Sequence, residues 1–209
     1  MYILTEHIAF PPVAETSPEG VLAIGGDLQP ARLLLAYQNG IFPWYCEDEP
    51  IIWWSPDPRM VLFPNDLKVS KSMKQLLRRE TFTVTYNTAF ERVIRACALI
   101  ERPGQDDTWI TNEMEDAYIE LHKMGYAVSV EVWRDEKLVG GVYGINLGHV
   151  FCGESMFSLE SNASKFGFIH LVEKLKATGC QLIDCQMHTN HLASLGAYEV
   201  PREVFLSYL

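Results

Sequence analysis

The stretch HVFCGESMFSLESNASKFGFIHLVEKLKATGCQLIDC, residues 149–185, predicts a strand, a helix and a second strand in that order. The strands are expected at 149–153 and 181–185, and the helix between them at 162–178. Asn162 is a suitable N-cap for this helix, and Gly179 is a suitable stop. A helix that joins two strands of one sheet normally makes a right-handed crossover. The stretch therefore predicts part of an α/β sheet with a helix packed on one face.

The residues before this stretch extend the same sheet. Apolar and alternating runs predict two further strands at 126–133 and 137–145, which make a three-stranded meander with the strand at 149–153. Helices are expected near 70–79, 87–101 and 111–124, with Ser70, Asn87 and Thr111 as N-caps and Gly125 as a stop. Residues 65–209 are therefore predicted to form a domain of the α+β or α/β class with a mixed sheet.

The first 64 residues differ in composition. They hold nine of the eleven prolines, and proline fixes φ and removes a backbone donor, so a small, loop-rich domain is expected. One helix is expected from Pro30, a residue favoured in a first turn, to Gly40, a residue favoured after a last turn. Around this helix lies an aromatic group of Phe42, Trp44, Tyr45, Trp53 and Trp54. These rings either build the core of the small domain or offer a stacking surface for a base.

Composition and cysteine usage narrow the class of protein. With 48% hydrophobic and 21% charged residues among 209, the chain is typical of a globular protein. No apolar run approaches the ~20 residues of a membrane span, and the N-terminus lacks the features of a signal peptide, so a cytoplasmic protein is expected. The five cysteines lie mostly in apolar stretches and predict buried thiols. No metal is expected, because there is no C-x-x-C and His188-x-x-His191 lacks further ligands at suitable spacing.

Positive charge is concentrated in one predicted helix. The chain has a net charge of −10, yet residues 66–80 carry five cations and two carboxylates, a local net charge of +3 that leaves −13 for the rest. The cations are Lys68, Lys71, Lys74, Arg78 and Arg79. At ~100° per residue, Lys71, Lys74 and Arg78 share one stripe, opposite Met73, Leu76 and Leu77. The stripe is either a solvated helix face or a contact for a polyanion such as nucleic acid.

A glycine-rich run lies in one of the predicted strands. Gly140-Gly141-Val-Tyr-Gly144 is not a P-loop, because no Gly-Lys-Ser/Thr follows, and not a dinucleotide-binding fingerprint, because no helix follows. Glycines inside strands mark bulges or the close approach of another group. Packing and ligand access are both open at this point.

Polar side chains end two otherwise apolar strands. Glu154 follows the strand at 149–153, and Asp184 and Gln186 lie two residues apart, which places them on one face of a regular strand. Carboxylates in such positions need partners. They form either a structural network or a cleft, since open α/β sheets hold ligands where strands end. No serine or cysteine has an obvious histidine partner, so chemistry by positioning is expected rather than covalent catalysis.

Several motifs, taken together and in this order, resemble those of bacterial leucyl/phenylalanyl-tRNA–protein transferases. The motifs are Gly25-Gly26-Asp27-Leu28, Tyr37-Gln-Asn-Gly40-Ile-Phe-Pro-Trp44, Trp53-Trp54-Ser-Pro-Asp-Pro-Arg59, Thr108-Trp109-Ile110-Thr111, Phe151-Cys-Gly-Glu154-Ser-Met-Phe-Ser158, Asn162-Ala-Ser-Lys165, Ile183-Asp184-Cys-Gln186 and Ala193-Ser-Leu-Gly196-Ala. The resemblance covers essentially the whole chain.

This resemblance implies a fold and an activity. The fold would be a small N-terminal domain, residues 1–64, packed on an acetyltransferase-like (GNAT) catalytic domain, residues 65–209. The activity would be transfer of Leu or Phe, and weakly Met, from aminoacyl-tRNA to the α-amine of proteins that begin with Arg or Lys, marking them for N-degron degradation. No metal or organic cofactor would be needed. Related acetyltransferases hold a pyrophosphate with a glycine-rich turn, and residues 159–165 have no glycine, which argues against acetyl-CoA.

The resemblance also assigns roles to residues. Asp184 would hold the Gln186 amide, whose carbonyl accepts a hydrogen bond from the attacking amine, and Glu154 would contact that amine or the basic side chain of the acceptor. The terminal adenosine of the tRNA would lie among Trp44, Trp109 and Phe151. The aminoacyl side chain would lie against Ile183 and Val142. The acceptor stem would be held by Lys71, Lys74, Arg78 and Arg79.

Two other functions remain open on sequence alone. One is an acyl-CoA-dependent acetyltransferase of the same fold. The other is a non-catalytic tRNA-binding module that uses the aromatic group and the basic helix.

Overall fold

The computed structural model describes residues 1–79, 81–100 and 108–209, and these residues form two sheets. The smaller sheet has four short strands in the order β1-β2-β4-β3. Its strands are β1 (Tyr2–Leu4), β2 (Val21–Gly25), β3 (Phe42–Pro43) and β4 (Ile52–Trp54). Helix α1 (Pro30–Gln38) connects β2 to β3 and buries Leu33, Ala36 and Tyr37. The helix expected after Pro30 is confirmed.

The larger sheet has seven strands in the order β11-β5-β10-β9-β8-β7-β6. Its strands are β5 (Arg59–Leu62), β6 (Thr83–Tyr86), β7 (Ala127–Arg134), β8 (Lys137–Asn146), β9 (Val150–Ser158), β10 (Leu182–Gln186) and β11 (Tyr198–Val200). The other helices are α2 (Lys71–Leu77), α3 (Phe90–Leu99), α4 (Asn112–Lys123), α5 (Ala163–Ala177), α6 (Asn190–Ser194) and α7 (Arg202–Leu206). β9 and β10 are parallel and joined by α5, whereas the other neighbours in this sheet are antiparallel. The predicted mixed sheet with a crossover is confirmed.

Two helix starts differ from the sequence prediction. α3 begins at Phe90 with Ala89 as N-cap, so the assignment of Asn87 was wrong; the Asn87 side chain instead accepts the Ser129 N–H at 2.8 Å and ties the start of α3 to β7. Residue 101, its expected end, lies outside the described residues. Asn162 is the N-cap residue of α5, but its φ is 68° and its side chain makes no cap. Ser158 supplies that cap, because its Oγ accepts the Ser164 N–H at 3.1 Å.

Two other predicted N-caps are confirmed. Ser70 accepts the Met73 N–H, and Thr111 accepts the Met114 N–H, each at 3.2 Å. β9 is longer than expected and continues five residues past Gly153 to Ser158. This extension matters for the site, because it carries Glu154 past the last residues of β9 that pair with β10.

The polypeptide passes from the smaller sheet to the larger one between β4 and β5. β5 precedes residue 64 in sequence, yet it lies between β10 and β11 of the larger sheet. The division into domains 1–64 and 65–209 stays a prediction. Most of the N-terminal aromatic group packs in the core: Trp53 is fully buried and donates its indole N–H to Gly25 O at 2.8 Å.

The glycine-rich run in β8 serves close packing. A Cβ on Gly140 would lie 2.7 Å from the Ala163 Cβ at the start of α5, and a Cβ on Gly144 would overlap the Cys152 carbonyl and the Phe151 ring. These glycines let α5 and β9 approach β8. Neither Gly140 nor Gly144 lines the cleft described below.

Two further observations bear on the predictions made from composition. Four of the five cysteines are buried, and Cys46 is exposed, contrary to the expectation of buried thiols. Across the described ranges, no helix has both the length and the apolar character that crossing a membrane requires.

Candidate active site

A cleft of about 850 Å³ opens where two parallel strands separate. β9 and β10 pair from Leu182–Val150 to Asp184–Cys152. Beyond that point β9 continues alongside β8 to Ser158, while β10 ends at Gln186 after an irregularity against β5. The gap between the departing strands forms the cleft, and α5 and α6 contribute to its walls. Strand ends that diverge in this way place polar side chains beside an apolar recess.

Six of the predicted site residues line this cleft together. They are Trp44, Trp109, Val142, Glu154, Ile183 and Gln186. Both tryptophans are half-buried, so each presents part of its ring to the cleft. Phe168 and Met156 add to an apolar wall, which makes a recess that suits a hydrophobic side chain or a base. Of the aromatic group, Phe42 and Trp44 line the cleft, whereas Trp53 lies in the core.

Two predicted residues do not reach the cleft. Phe151 is fully buried in the core cluster that includes Val142 and Ile183. The predicted contact with adenosine is therefore corrected, because Phe151 packs in the core and does not line the cleft. Asp184 is also buried, with about 1% of its side chain exposed. Ile183 and Cys185 line the cleft, and Asp184 between them points to the opposite face, as strand alternation requires.

Gln186 breaks that alternation. Its φ is 61°, and the pairing with β5 shifts register between Asp184 and Gln186. This bulge turns the Gln186 side chain into the cleft, so Asp184 and Gln186 do not share a face as the sequence predicted. The Gln186 N–H donates to Asp184 Oδ1 at 2.9 Å. Asp184 thus holds the Gln186 main chain, not its side-chain amide.

Arg59 is the partner of Asp184, and sequence analysis assigned it no role. Its Nε and one terminal nitrogen donate to the two carboxylate oxygens at 2.8 and 2.7 Å. Its other terminal nitrogen donates to Gly40 O at 3.1 Å. The guanidinium also lies over the rings of Phe42 and Phe205, 4.8 and 4.6 Å from their centroids. An arginine at the start of the apolar strand β5 was the available signal, because a buried cation needs a buried carboxylate.

Glu154 holds the Gln186 side chain. Gln186 Nε2 donates to Glu154 Oε1 at 3.0 Å, which leaves the carboxamide oxygen as the end that can accept a hydrogen bond from a substrate. The Tyr118 hydroxyl donates to Glu154 Oε2 at 3.1 Å, and the Tyr37 hydroxyl is hydrogen-bonded to that of Tyr118. A chain of hydrogen bonds therefore runs from α1 and α4 through Glu154 to the cleft.

Burial makes Glu154 titrate near neutrality. Desolvation raises the pKa of its carboxyl to about 7, assisted by the negative charge of Asp184 and opposed by the hydrogen bonds from Tyr37, Tyr118 and Gln186. Burial, followed by the charge of Glu154, raises the pKa of both tyrosines well above its usual value. The tyrosines therefore stay protonated and act as donors, while Glu154 exists in both forms near pH 7.

The basic patch lies on a helix that follows a segment bonded to the end of α6. Here the patch means Lys71, Lys74, Arg78 and Arg79, all exposed, on α2 and its C-terminal end. Met73 on the opposite side is buried, as the stripe predicted. The Lys68 N–H donates to Leu195 O at 2.8 Å, which joins the segment before α2 to the end of α6. α6 carries His191, a cleft residue whose pKa is lowered by burial and by the charge of Lys165.

No metal site is evident in the part of the chain that the structure describes. There, no three His, Cys, Asp or Glu side chains come together as metal ligands would.

Among solved structures, the chain resembles FemX with a TM-score of 0.55 at 10% sequence identity. The alignment covers 82% of this chain and 66% of FemX. At this identity the likeness shows the fold alone, and the acetyltransferase-like (GNAT) class predicted from sequence is confirmed.

The chain also matches the profiles of one protein family. The family profile described as leucyl/phenylalanyl-tRNA protein transferase matches residues 61–209, and the profile of the N-terminal domain of that family matches residues 26–57. A leucyl/phenylalanyl-tRNA–protein transferase of Flavobacterium johnsoniae is 61% identical over 209 residues, covering 100% of this chain and 99% of the relative. One from Christiangramia forsetii is 56% identical, covering 100% of both chains. The chain described here therefore belongs to the leucyl/phenylalanyl-tRNA protein transferase family.

Proposed function

We propose that this protein transfers Leu or Phe, and weakly Met, from aminoacyl-tRNA to the N-terminal α-amine of proteins beginning with Arg or Lys. The observation that carries the proposal is the joining of the Glu154–Gln186 pair to an apolar cleft with two half-buried tryptophans. Membership of the family supports it. A cytoplasmic location and marking of the product for N-degron degradation belong to the same proposal.

The chemistry requires orientation more than activation. The aminoacyl ester is already reactive, and alignment with the amine can supply up to ~7–11 kcal/mol. The neutral amine attacks the ester carbonyl, a C–N bond forms, the ester C–O bond breaks, and the tRNA leaves with its ribose hydroxyl restored. The Gln186 carbonyl accepts a hydrogen bond from the attacking amine. A neutral amide is too weak a base to keep the proton, so the ribose oxygen or water carries it away.

Glu154 suits a cationic acceptor. An α-amine has a pKa of about 7.7–8.0, so near neutral pH most acceptors arrive as ammonium ions. The ionised fraction of Glu154 attracts either this group or the basic side chain of the first residue. Asp184 does not add a second free carboxylate, because Arg59 neutralises it in the interior.

The terminal adenosine of the tRNA and the aminoacyl side chain would contact different walls of the cleft. Trp44 and Trp109 would stack on the adenine, and Val142, Ile183 and neighbouring apolar side chains would accept the Leu or Phe side chain. An apolar recess distinguishes one methylene by only ~1–3 kcal/mol, which is why we expect weak use of Met. The basic patch would contact the acceptor stem, with Lys71, Lys74, Arg78 and Arg79 facing phosphates.

One observation disfavours acetyl-CoA as the donor. The start of α5 lies at the cleft, where an acetyltransferase would offer free N–H groups to a pyrophosphate. Here the Ser164 N–H donates to Ser158 Oγ and the Ala163 N–H donates to Glu160 O, each at 3.1 Å. These donors are already engaged within the chain. We propose that no metal or organic cofactor takes part.

The decisive experiment supplies Phe-tRNA and a peptide that begins with Arg, and follows the mass of the peptide. We expect the mass of one Phe residue to be added, with none added to the same peptide carrying an acetylated N-terminus. A peptide that gains acetyl from labelled acetyl-CoA would favour the acetyltransferase. Binding of Phe-tRNA without any transfer would favour the non-catalytic module.

A further inference from the structure

The main chain at Gln186 is held in an unusual conformation. A φ of 61° places a non-glycine residue in the left-handed region, which persists only when surrounding contacts enforce it. The bulge between Asp184 and Gln186 lies at the last residues of β10. Without it, strand alternation would send the Gln186 carboxamide away from the cleft. Something must therefore hold the bulge.

The contact that holds it is the Asp184 carboxylate. Oδ1 accepts the Gln186 N–H at 2.9 Å and Arg59 Nε at 2.8 Å. Oδ2 accepts an Arg59 terminal nitrogen at 2.7 Å. About 1% of each side chain is exposed, so neither can exchange this pairing for water. Because Asp184 does not line the cleft, its influence on substrate passes through Gln186.

Arg59 is itself fixed from three directions. Its remaining terminal nitrogen donates to Gly40 O, and the Phe42 and Phe205 rings flank the guanidinium. A planar guanidinium held in this way can orient a carboxylate through two hydrogen bonds, whereas the single ammonium of a lysine cannot.

We propose that Arg59 is a positioning residue for the transfer: through Asp184 it holds the Gln186 main chain in the bulge that directs the carboxamide into the cleft. The proposal rests on the proposed function, because it concerns the orientation of Gln186 during that reaction. It assigns Asp184 to the same task, so that Asp184 acts on the main chain and not on the reacting atoms.

Arg59→Lys tests the proposal, because it keeps the positive charge and removes the planar guanidinium. We expect kcat for Phe transfer to fall by between about 10-fold and 100-fold, with KM for Phe-tRNA nearly unchanged, as for a misplaced group. Arg32→Lys is the matched control. Arg32 is also fully buried and paired with a carboxylate, Asp27, at 3.1 Å, but neither residue lines the cleft. We expect its kcat to stay at the wild-type value.

A double-variant cycle separates positioning from general support of the fold. If Arg59 acts through Gln186, the variant Arg59→Lys/Gln186→Ala has the same kcat as Gln186→Ala alone. Phe205→Leu provides a second route that keeps both charges, should Arg59→Lys fail to fold. It loosens the guanidinium, and its smaller loss of kcat should likewise vanish in the Gln186→Ala background.

The proposal would be overturned if the kcat losses of the single variants multiplied in both double variants. It would also be overturned if Arg59→Lys raised KM for Phe-tRNA and left kcat constant. The wild-type chain is measured in the same assay. No transfer by the wild type would overturn the proposed function together with this inference, whereas an active wild type with multiplying losses would remove the role of Arg59 alone.

Discussion

The charge of Glu154 responds to pH near neutrality. Folding raises the pKa of its carboxyl from 4.5 to about 7, so the folded state binds a proton more tightly than the unfolded chain. A raised carboxyl pKa stabilises the fold fully below about pH 4.5, and this contribution is lost as pH rises through 7. Between these two pH limits, the contribution of Glu154 to the unfolding free energy changes by about 3 kcal/mol.

Glu154→Gln should remove this dependence, because the amide imitates the protonated acid and does not titrate. We expect the unfolding free energy of the wild type, relative to Glu154→Gln, to fall as pH rises from about 4.5 to about 7.5. Urea unfolding at a series of pH values measures it. A constant difference between the two proteins across that range would show that Glu154 titrates normally.

At Gln186 we expect an effect on rate without an effect on binding. Gln186→Ala removes the carboxamide that we propose accepts a hydrogen bond from the attacking amine, so kcat should fall by about 100-fold to 1,000-fold. The affinity for Phe-tRNA, measured by filter binding without acceptor peptide, should stay near the wild-type value. Gln181→Ala, at an exposed position before β10, is the control and should change neither. An equal loss of affinity in Gln186→Ala would instead make Gln186 a tRNA-binding residue.

The site residues show where sequence reasoning succeeds and where it stops. Glu154 was placed at a cleft because it ends a strand, and Ile183 and Val142 were placed there by the family resemblance; all three line the cleft. Asp184 and Gln186 were placed on one face because side chains alternate between the two faces of a regular strand. No pattern in the neighbouring sequence predicts the bulge that places them on different faces. The Gln186 N–H is bonded to Asp184, whose partner Arg59 is 125 residues away in sequence.

At the level of elements, the basic helix gives a prediction about salt. Lys71→Glu/Lys74→Glu should weaken tRNA binding and reduce the slope of log K against log[salt], by roughly 0.9 for each phosphate that the helix no longer neutralises. Lys123→Glu/Lys137→Glu makes the same change of charge at two exposed lysines that lie outside the basic patch. Titrations at several salt concentrations compare the two. An unchanged slope in the first variant would mean that the basic patch does not meet phosphates.

Helix α5 offers a test of which residue caps it. Ser158→Ala removes the acceptor of the Ser164 N–H and should lower the unfolding free energy by about 1 kcal/mol. Asn162→Gly should change it by no more than about 0.5 kcal/mol, because the Asn162 side chain makes no cap and glycine adopts a φ of 68° without strain. Thermal unfolding of both variants measures the two changes. A larger loss of stability in Asn162→Gly than in Ser158→Ala would show that Asn162 is the residue that caps α5.

The elements that sequence predicted best are long. α4, α5, β7 and β8 each repeat their apolar pattern over enough residues to separate a helical period from a strand period. β1, β4 and β11 have three residues each and β3 has two, too few for any period to show. Their existence depends on pairing with strands elsewhere in the chain, and pairing of that kind leaves no local pattern.

At the scale of the whole molecule, residues 1–64 and the rest meet through buried polar contacts. Arg59 joins β5 to β10 and to the Gly40 carbonyl. Tyr37 of α1 and Tyr118 of α4 are hydrogen-bonded to each other, and Tyr118 continues to Glu154. Both contacts lead to the Glu154–Gln186 pair. The first 64 residues therefore help to build the site as well as supplying Trp44 to its wall.

This arrangement predicts that the Arg59–Asp184 pair is needed more for activity than for folding. Arg59→Met leaves a buried carboxylate without its partner and should cost about 3–5 kcal/mol of unfolding free energy, whereas Arg59→Met/Asp184→Leu removes both charges and should recover most of that loss. Urea unfolding measures both variants. Transfer of Phe by the double variant should nevertheless stay low, since nothing then holds the Gln186 main chain. A double variant that is stable and fully active would show that the bulge forms without the pair, and a stable single variant would show that Asp184 finds another partner.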